Sequence, residues 1–262
     1  MASSPVLHPS VQTRTEPRVS AAALAEYLIL RPDGQQNILH DSKYSRPPII
    51  SANGDAMRAL REYNQDPRRS QETLVRVKGA LTMKSETPAI TPKQRDEALR
   101  CLEIIDIFER NENALGMRSM ALSKPPAFDA IEIEGVIVSI RPDFIVGGGG
   151  GRNRVGAAIL RVAKAPDPAG GKRPETRLKR GELRREMARY LVAMQQLLLD
   201  AQNGALGIPD RELCFVGDVR LGERIGAAPD HAVRLRDIRG ACQQISKLWT
   251  SVTPKPALFK KP

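Results

Sequence analysis

The sequence predicts a mixed α/β (α+β) protein, with a helical lobe followed by a mixed central sheet flanked by helices. Three observations carry this expectation. Residues 19–124 hold helical stripes separated by proline breaks and no confident strand. Residues 129–164, DAIEIEGVIVSIRPDFIVGGGGGRNRVGAAILRVAK, place two β-branched runs on either side of five consecutive glycines. From residue 165 onward, helical and strand-like runs alternate, the pattern of a sheet covered by helices. The expected divisions are a disordered tail over 1–18, the helical lobe over 19–124, the α/β core over 125–252 and a basic tail over 253–262.

Taken in order, Ser20 is a good N-cap for an apolar helix over 20–30, SAAALAEYLIL, which Arg31-Pro32 ends. Pro47-Pro48 forbids a helix after SKYSR. Residues 55–65 place Ala56, Leu60 and Tyr63 at helical spacing, and residues 69–84 place Leu74, Val77 and Leu81 on one stripe. Thr91 caps a long helix, TPKQRDEALRCLEIIDIFERNENAL, with Leu99, Leu102, Ile105 and Phe108 on one face. Strands follow at 129–146 and 155–164, expected to pair antiparallel across the glycine loop. A helix over 178–203, a short strand over 212–219, a second in HAVRL and a final helix over 236–249 complete the order.

Composition narrows the function classes. With 41% hydrophobic residues but only 4% aromatics, the core must come from Leu, Ile, Val, Ala and Met. The formal charge of +11 favours polyanionic partners through counterion release, and nucleic acid, DNA or RNA, is the expected one. Three separated cysteines, Cys101, Cys214 and Cys242, give neither a CxxC pair nor a disulfide framework. Cys101 and Cys214 are expected in the core. His8, His40 and His231 form no metal-ligand pair and no triad. The first 18 residues lack the apolar run of a signal peptide, and no stretch approaches the ~18 apolar residues of a membrane span. A cytoplasmic protein without membrane contact is expected.

The glycine run fits neither GxGxxG nor GxxxxGK[ST], so it carries no dinucleotide or P-loop signature. It reads as a flexible connection, with Arg152 and Arg154 at its tip able to touch phosphates. The densest basic run lies at 172–185, and from it Lys179, Arg180, Arg184 and Arg185 are candidate nucleic-acid contacts.

Pro142-Asp143 on the first strand and Lys164 after the second, with a helix before and a helix and strand after, resemble the PD-(D/E)XK nuclease superfamily, in its RecB-like branch. The segment Ser42-Lys43-Tyr44 before Pro47 adds to this. The resemblance implies a restriction-endonuclease-like core over about 125–250. It also implies a Mg²⁺ held by Asp143 and a second carboxylate, and a charge-stabilising Lys164. That second carboxylate would stand two residues before the lysine, on the same face of the strand, and there this chain has Val162. Glu134 is the candidate substitute, with Glu26, Glu132, Glu182 and Glu186 as others. Arg161 points to the face opposite Lys164.

Three readings follow from these residues. A nuclease-like core that has lost catalysis binds nucleic acid, and a relic Asp143–Lys164 ion pair marks its former centre. Alternatively, an active Mg²⁺-dependent phosphodiesterase uses a migrated carboxylate. In the third, the helical lobe docks another protein as a subunit of a larger complex.

Overall fold

The computed structural model describes residues 7–45, 53–147 and 153–259. The proline break at 47–48, Arg152 and four of the five loop glycines lie outside them. In chain order the elements are β1 (Gln12–Thr13), β2 (Arg18–Ser20), α1 (Ala21–Ile29), α2 (Pro32–Lys43), β3 (Tyr44–Ser45) and α3 (Gly54–Gln65). Then come α4 (Gln71–Glu86), α5 (Pro92–Leu115), β4 (Ala121–Ser123), β5 (Ile131–Ile133), β6 (Val136–Ser139) and β7 (Phe144–Gly147). The rest are β8 (Arg154–Arg161), α6 (Pro174–Asp200), β9 (Ile208–Pro209), β10 (Phe215–Asp218), β11 (Glu223–Ile225) and α7 (His231–Leu248). Helices and mixed sheets make an α+β protein.

The chain divides into two interleaved units. One comprises Met1–Ile50, Asp129–Ile140 and Asp230–Pro262, and the other comprises Ser51–Phe128 and Arg141–Pro229. The helices expected as one lobe are therefore shared, with α1 and α2 in the first unit and α3, α4 and α5 in the second.

In the first unit, the Ser20 hydroxyl accepts from the Ala23 amide at 3.1 Å and starts α1 as expected. The helix α2 was not anticipated, because Arg31-Pro32 reads only as the end of the helix before it. Pro32 instead takes the first helical position, where its fixed φ is an advantage. The run expected as one strand over 129–146 is broken. Glu134 and Gly135 take φ of 49° and 76°, turning β5 back on β6 in a two-residue hairpin. Strand β6 also pairs parallel with β2, which gives the three-stranded order β2-β6-β5. HAVRL is not a strand either. It is the first turn of α7, where the Arg234 guanidinium closes on Asp230 four residues back, at 3.0 Å.

The described parts of both expected tails, residues 7–18 and 253–259, are tied down within this unit. Strand β1 pairs with β3, and Leu7 bridges Phe259. Lys43 Nζ donates to the Trp249 and Val252 carbonyls at 2.7 and 2.9 Å, and Tyr44 Oη donates to Val252 O at 3.0 Å. The Lys43-Tyr44 pair thus has a structural task, holding the C-terminal segment.

The second unit is a six-stranded sheet of order β11-β10-β8-β7-β4, with β9 beside β8. Strands β7 and β8 pair antiparallel, as the hairpin expectation required, with Phe144 opposite Ala158. Strand β10 runs parallel to β8, and α6 makes the crossover between them. Ala158, Leu160 and Val162 join Phe144, Val146, Phe215 and the stripes of α3, α4 and α5 in one core. Alternation turns Arg161 to the other face, where its guanidinium donates to the Arg184 carbonyl on α6. Helix α5 is capped by Thr91 and Gln94 in a capping box. Its buried stripe is Ala98, Cys101, Ile104, Ile105 and Phe108, whereas Leu99, expected on that face, is 50% exposed.

Candidate functional site

Asp143 precedes β7 at the end of the sheet where β8 finishes. Its carboxylate is nearly closed off from solvent and fully engaged. Oδ2 accepts from the Leu160 amide at 2.6 Å. Oδ1 accepts from Arg61 Nε at 2.7 Å and lies 2.6 Å from Arg61 Nη2. Burial pushes the carboxyl above the usual range, and this outweighs the lowering by Arg61 and the Leu160 amide. Arg61 comes from α3, 82 residues earlier, and no local signal marks it as the partner.

The expected Asp143–Lys164 pair is not formed. Strand β8 ends at Arg161, so Lys164 lies beyond it, 69% exposed, with Nζ 3.8 Å from Asp167 Oδ2. Val162 sits in the core, where a metal ligand would be out of reach of solvent. Three of the substitute carboxylates, Glu134, Glu182 and Glu186, are engaged by other side chains. Glu134 stands in the β5–β6 turn of the other unit and accepts from Gln243 Nε2 at 3.0 Å. Glu26 and Glu132 also belong to that unit. Glu182 pairs with Arg185 at 2.5 Å, and Glu186 with Arg189. Among the described residues, no three His, Cys, Asp or Glu side chains group as a metal ion would require.

The basic run of α6 is only partly a surface. Arg184 is completely buried. It grips Asp218, equally buried, through Nε and Nη2 at 2.8 Å each. Its Nη1 donates to the carbonyls of Ala163 and Lys164 at 2.9 Å and of Pro166 at 3.1 Å. A guanidinium with those duties holds the end of β8 to the end of β10, so Arg184, fully buried, is not the nucleic-acid contact expected from the sequence. Arg185 is held by Glu223 at 2.7 and 2.8 Å and by Glu182. Arg180 Nη1 donates to the Asp167 carbonyl at 3.1 Å. Lys172, Arg173 and Lys179 are exposed. Arg154 pairs with Asp210 at 2.5 Å and is 44% exposed.

Cysteine chemistry offers no alternative centre. Burial pushes the Cys214 and Cys242 thiols up to about 12 and raises Cys101 as well, so none of the three is a thiolate at neutral pH. On the helices expected to meet a protein partner, Val75, Met83 and Leu99 are exposed. No described helix is long and apolar enough to cross a membrane. What the fold and this geometry define is an α+β protein with a buried aspartate held by a half-exposed arginine at one end of its larger sheet. No known family model matches the chain, and no curated protein or solved structure is similar to it.

Proposed function

We propose that the chain binds nucleic acid through a restriction-endonuclease-like core whose metal centre is out of use. The observation that carries this reading is the state of Asp143. Its two oxygens are occupied by a guanidinium and a backbone amide, and burial raises its pKa, against the charge a metal ligand needs. A hard cation needs several converging, ionised oxygens. Here the position of the second oxygen ligand belongs to a core valine, and the lysine points to solvent. The order α5, β4, β7, β8, α6, β10, with an antiparallel hairpin and a parallel fourth strand, supports the likeness to that core. The charge of +11 supports a polyanionic partner.

The experiment is a paired binding and cleavage assay with Mg²⁺ or Mn²⁺ on single- and double-stranded DNA and RNA. Binding without cleavage above the Asp143→Ala control is expected. Cleavage that disappears in both Asp143→Ala and Lys164→Ala overturns the reading in favour of a working phosphodiesterase.

A further inference from the structure

A cleft of about 560 Å³ opens in the second unit, walled by the loop after α3, the stretch 118–123 and the start of β8. Three arginines line it: Arg69, Arg118 and Arg154. They come from three separate parts of the chain, which is why no motif announces them.

Arg69 is 9% exposed and has a left-handed φ of 45°. Its Nη1 donates to the Arg118 carbonyl and its Nη2 to Met120 O at 3.1 Å, clamping the stretch that carries Arg118. Among the described residues it meets no carboxylate at ion-pair distance, and its enclosed Nε has no partner. Burial still weighs more on this cation than the attraction of Glu112 and Asp66, which reach it only from a distance, and an anion bound nearby offsets part of that cost.

Arg118 and Arg154 are the reachable donors, 56% and 44% exposed. Glu112 holds Arg118 through Nε at 2.9 Å, and Asp210 holds Arg154 through Nη2 at 2.5 Å. Neither carboxylate lines the cleft, so each arginine is braced from behind and keeps further N–H donors of its five for a ligand. Asp66, the acid in the lining, has its two oxygens on the Arg68 and Ser70 amides at 2.9 and 3.1 Å. Ser119 and Ser123 also line the cleft. Planar guanidinium forks match the oxygens of a phosphate group.

From this geometry we infer that the cleft is a phosphate-group site, and that the nucleic-acid backbone of the proposed function docks there rather than on α6. The inference deepens that reading and rests on it for the source of the phosphate. A phosphodiester in the cleft contacts Arg118 and Arg154 directly, while Arg69 supplies charge from beneath.

The test compares wild type with an Arg118→Gln/Arg154→Gln double variant and a Lys172→Gln/Lys179→Gln control, by fluorescence anisotropy on a labelled oligonucleotide across a salt series. Pyrophosphate, titrated calorimetrically, is the free-phosphate probe. The cleft variant should lose about tenfold in affinity, and its slope of log affinity against log salt should shrink by roughly 1 for each arginine. The α6 control should change far less. An Arg118→Lys/Arg154→Lys pair, which keeps both charges, should recover most of the salt slope. Should the glutamine variant fail to fold, protection of Arg118 and Arg154 from phenylglyoxal by bound oligonucleotide in the wild type reads the same contact.

Unchanged affinity and slope in a folded cleft variant, or no protection, overturns the inference while leaving nucleic-acid binding in place. Pyrophosphate binding that the double variant abolishes, with oligonucleotide binding intact, overturns the backbone assignment in favour of a small phosphorylated ligand. A wild type that binds no oligonucleotide at low salt removes the proposed function instead, and the pyrophosphate arm then decides the cleft alone.

Discussion

At the scale of single residues, the charged side chains of the second unit sort by what their neighbours allow. Arg184 and Arg185 are adjacent in sequence, yet one is sealed in the core and the other is a half-exposed brace to Glu223. Removing one member of a buried ion pair leaves the other charge stranded, at a cost of about 3–5 kcal/mol. Arg184→Ala should therefore remove a large share of the about 5–15 kcal/mol of a domain of ordinary strength, read in urea unfolding. Lys179→Ala, on the exposed face of the same helix, should stay within about 0.5 kcal/mol of wild type.

Arg185 makes a separate, pH-dependent prediction. It holds the Glu223 carboxyl below the ordinary glutamate value of 4.5. A depressed carboxyl contributes stability above its unfolded pKa and loses it as pH falls through the folded value. Arg185→Gln should thus melt earlier than wild type at neutral pH. The two melting temperatures should converge in acid, below the ordinary glutamate range. A gap that persists in acid would mean that Arg185 acts through packing alone.

At the scale of elements, glycine marks where backbone meets backbone. A Cβ on Gly156 in β8 would stand 2.3 Å from the Leu213 carbonyl oxygen, in the 3-10 turn Arg211–Leu213 that leads into β10. That contact cannot be relieved by a rotamer, so Gly156→Ala should cost about 1–3 kcal/mol. Gly79 is the contrast, since a Cβ there in the middle of α4 meets nothing within 4 Å. Gly79→Ala should stabilise by about 0.5–1 kcal/mol through helix propensity alone. Chemical denaturation of the two variants checks both signs together. The helices were legible because capping and stripes are local: Ser20 and Thr91 cap where the sequence places them. The strands were less so. The run over 129–146 is rich in β-branched residues, and that richness alone does not separate one long strand from three short ones in two sheets. The Glu134-Gly135 dipeptide was the available signal, a two-residue turn bounded by β-branched runs.

At the scale of the whole molecule, the sequence by itself determined the α+β class, most of the helices, the antiparallel β7–β8 hairpin and the burial of Cys101 and Cys214. Each follows from periodicity, capping or residue type within a short window. Only the tertiary structure decided which charges are free. Asp143 stood out as a possible ligand and Arg184 as a possible phosphate contact. Arg61 and Asp218, 82 and 34 residues away, took them instead. The cleft of Arg69, Arg118 and Arg154 came from the same cause in reverse, three unremarkable arginines gathered by strand and helix packing. Nor did the division into two interleaved units follow from composition, because a chain that leaves a unit and returns to it keeps the same local pattern on both sides of the crossing. Local windows fix local structure. Ion pairs and clefts depend on pairings across the chain, and their energies are set by burial, which no window contains.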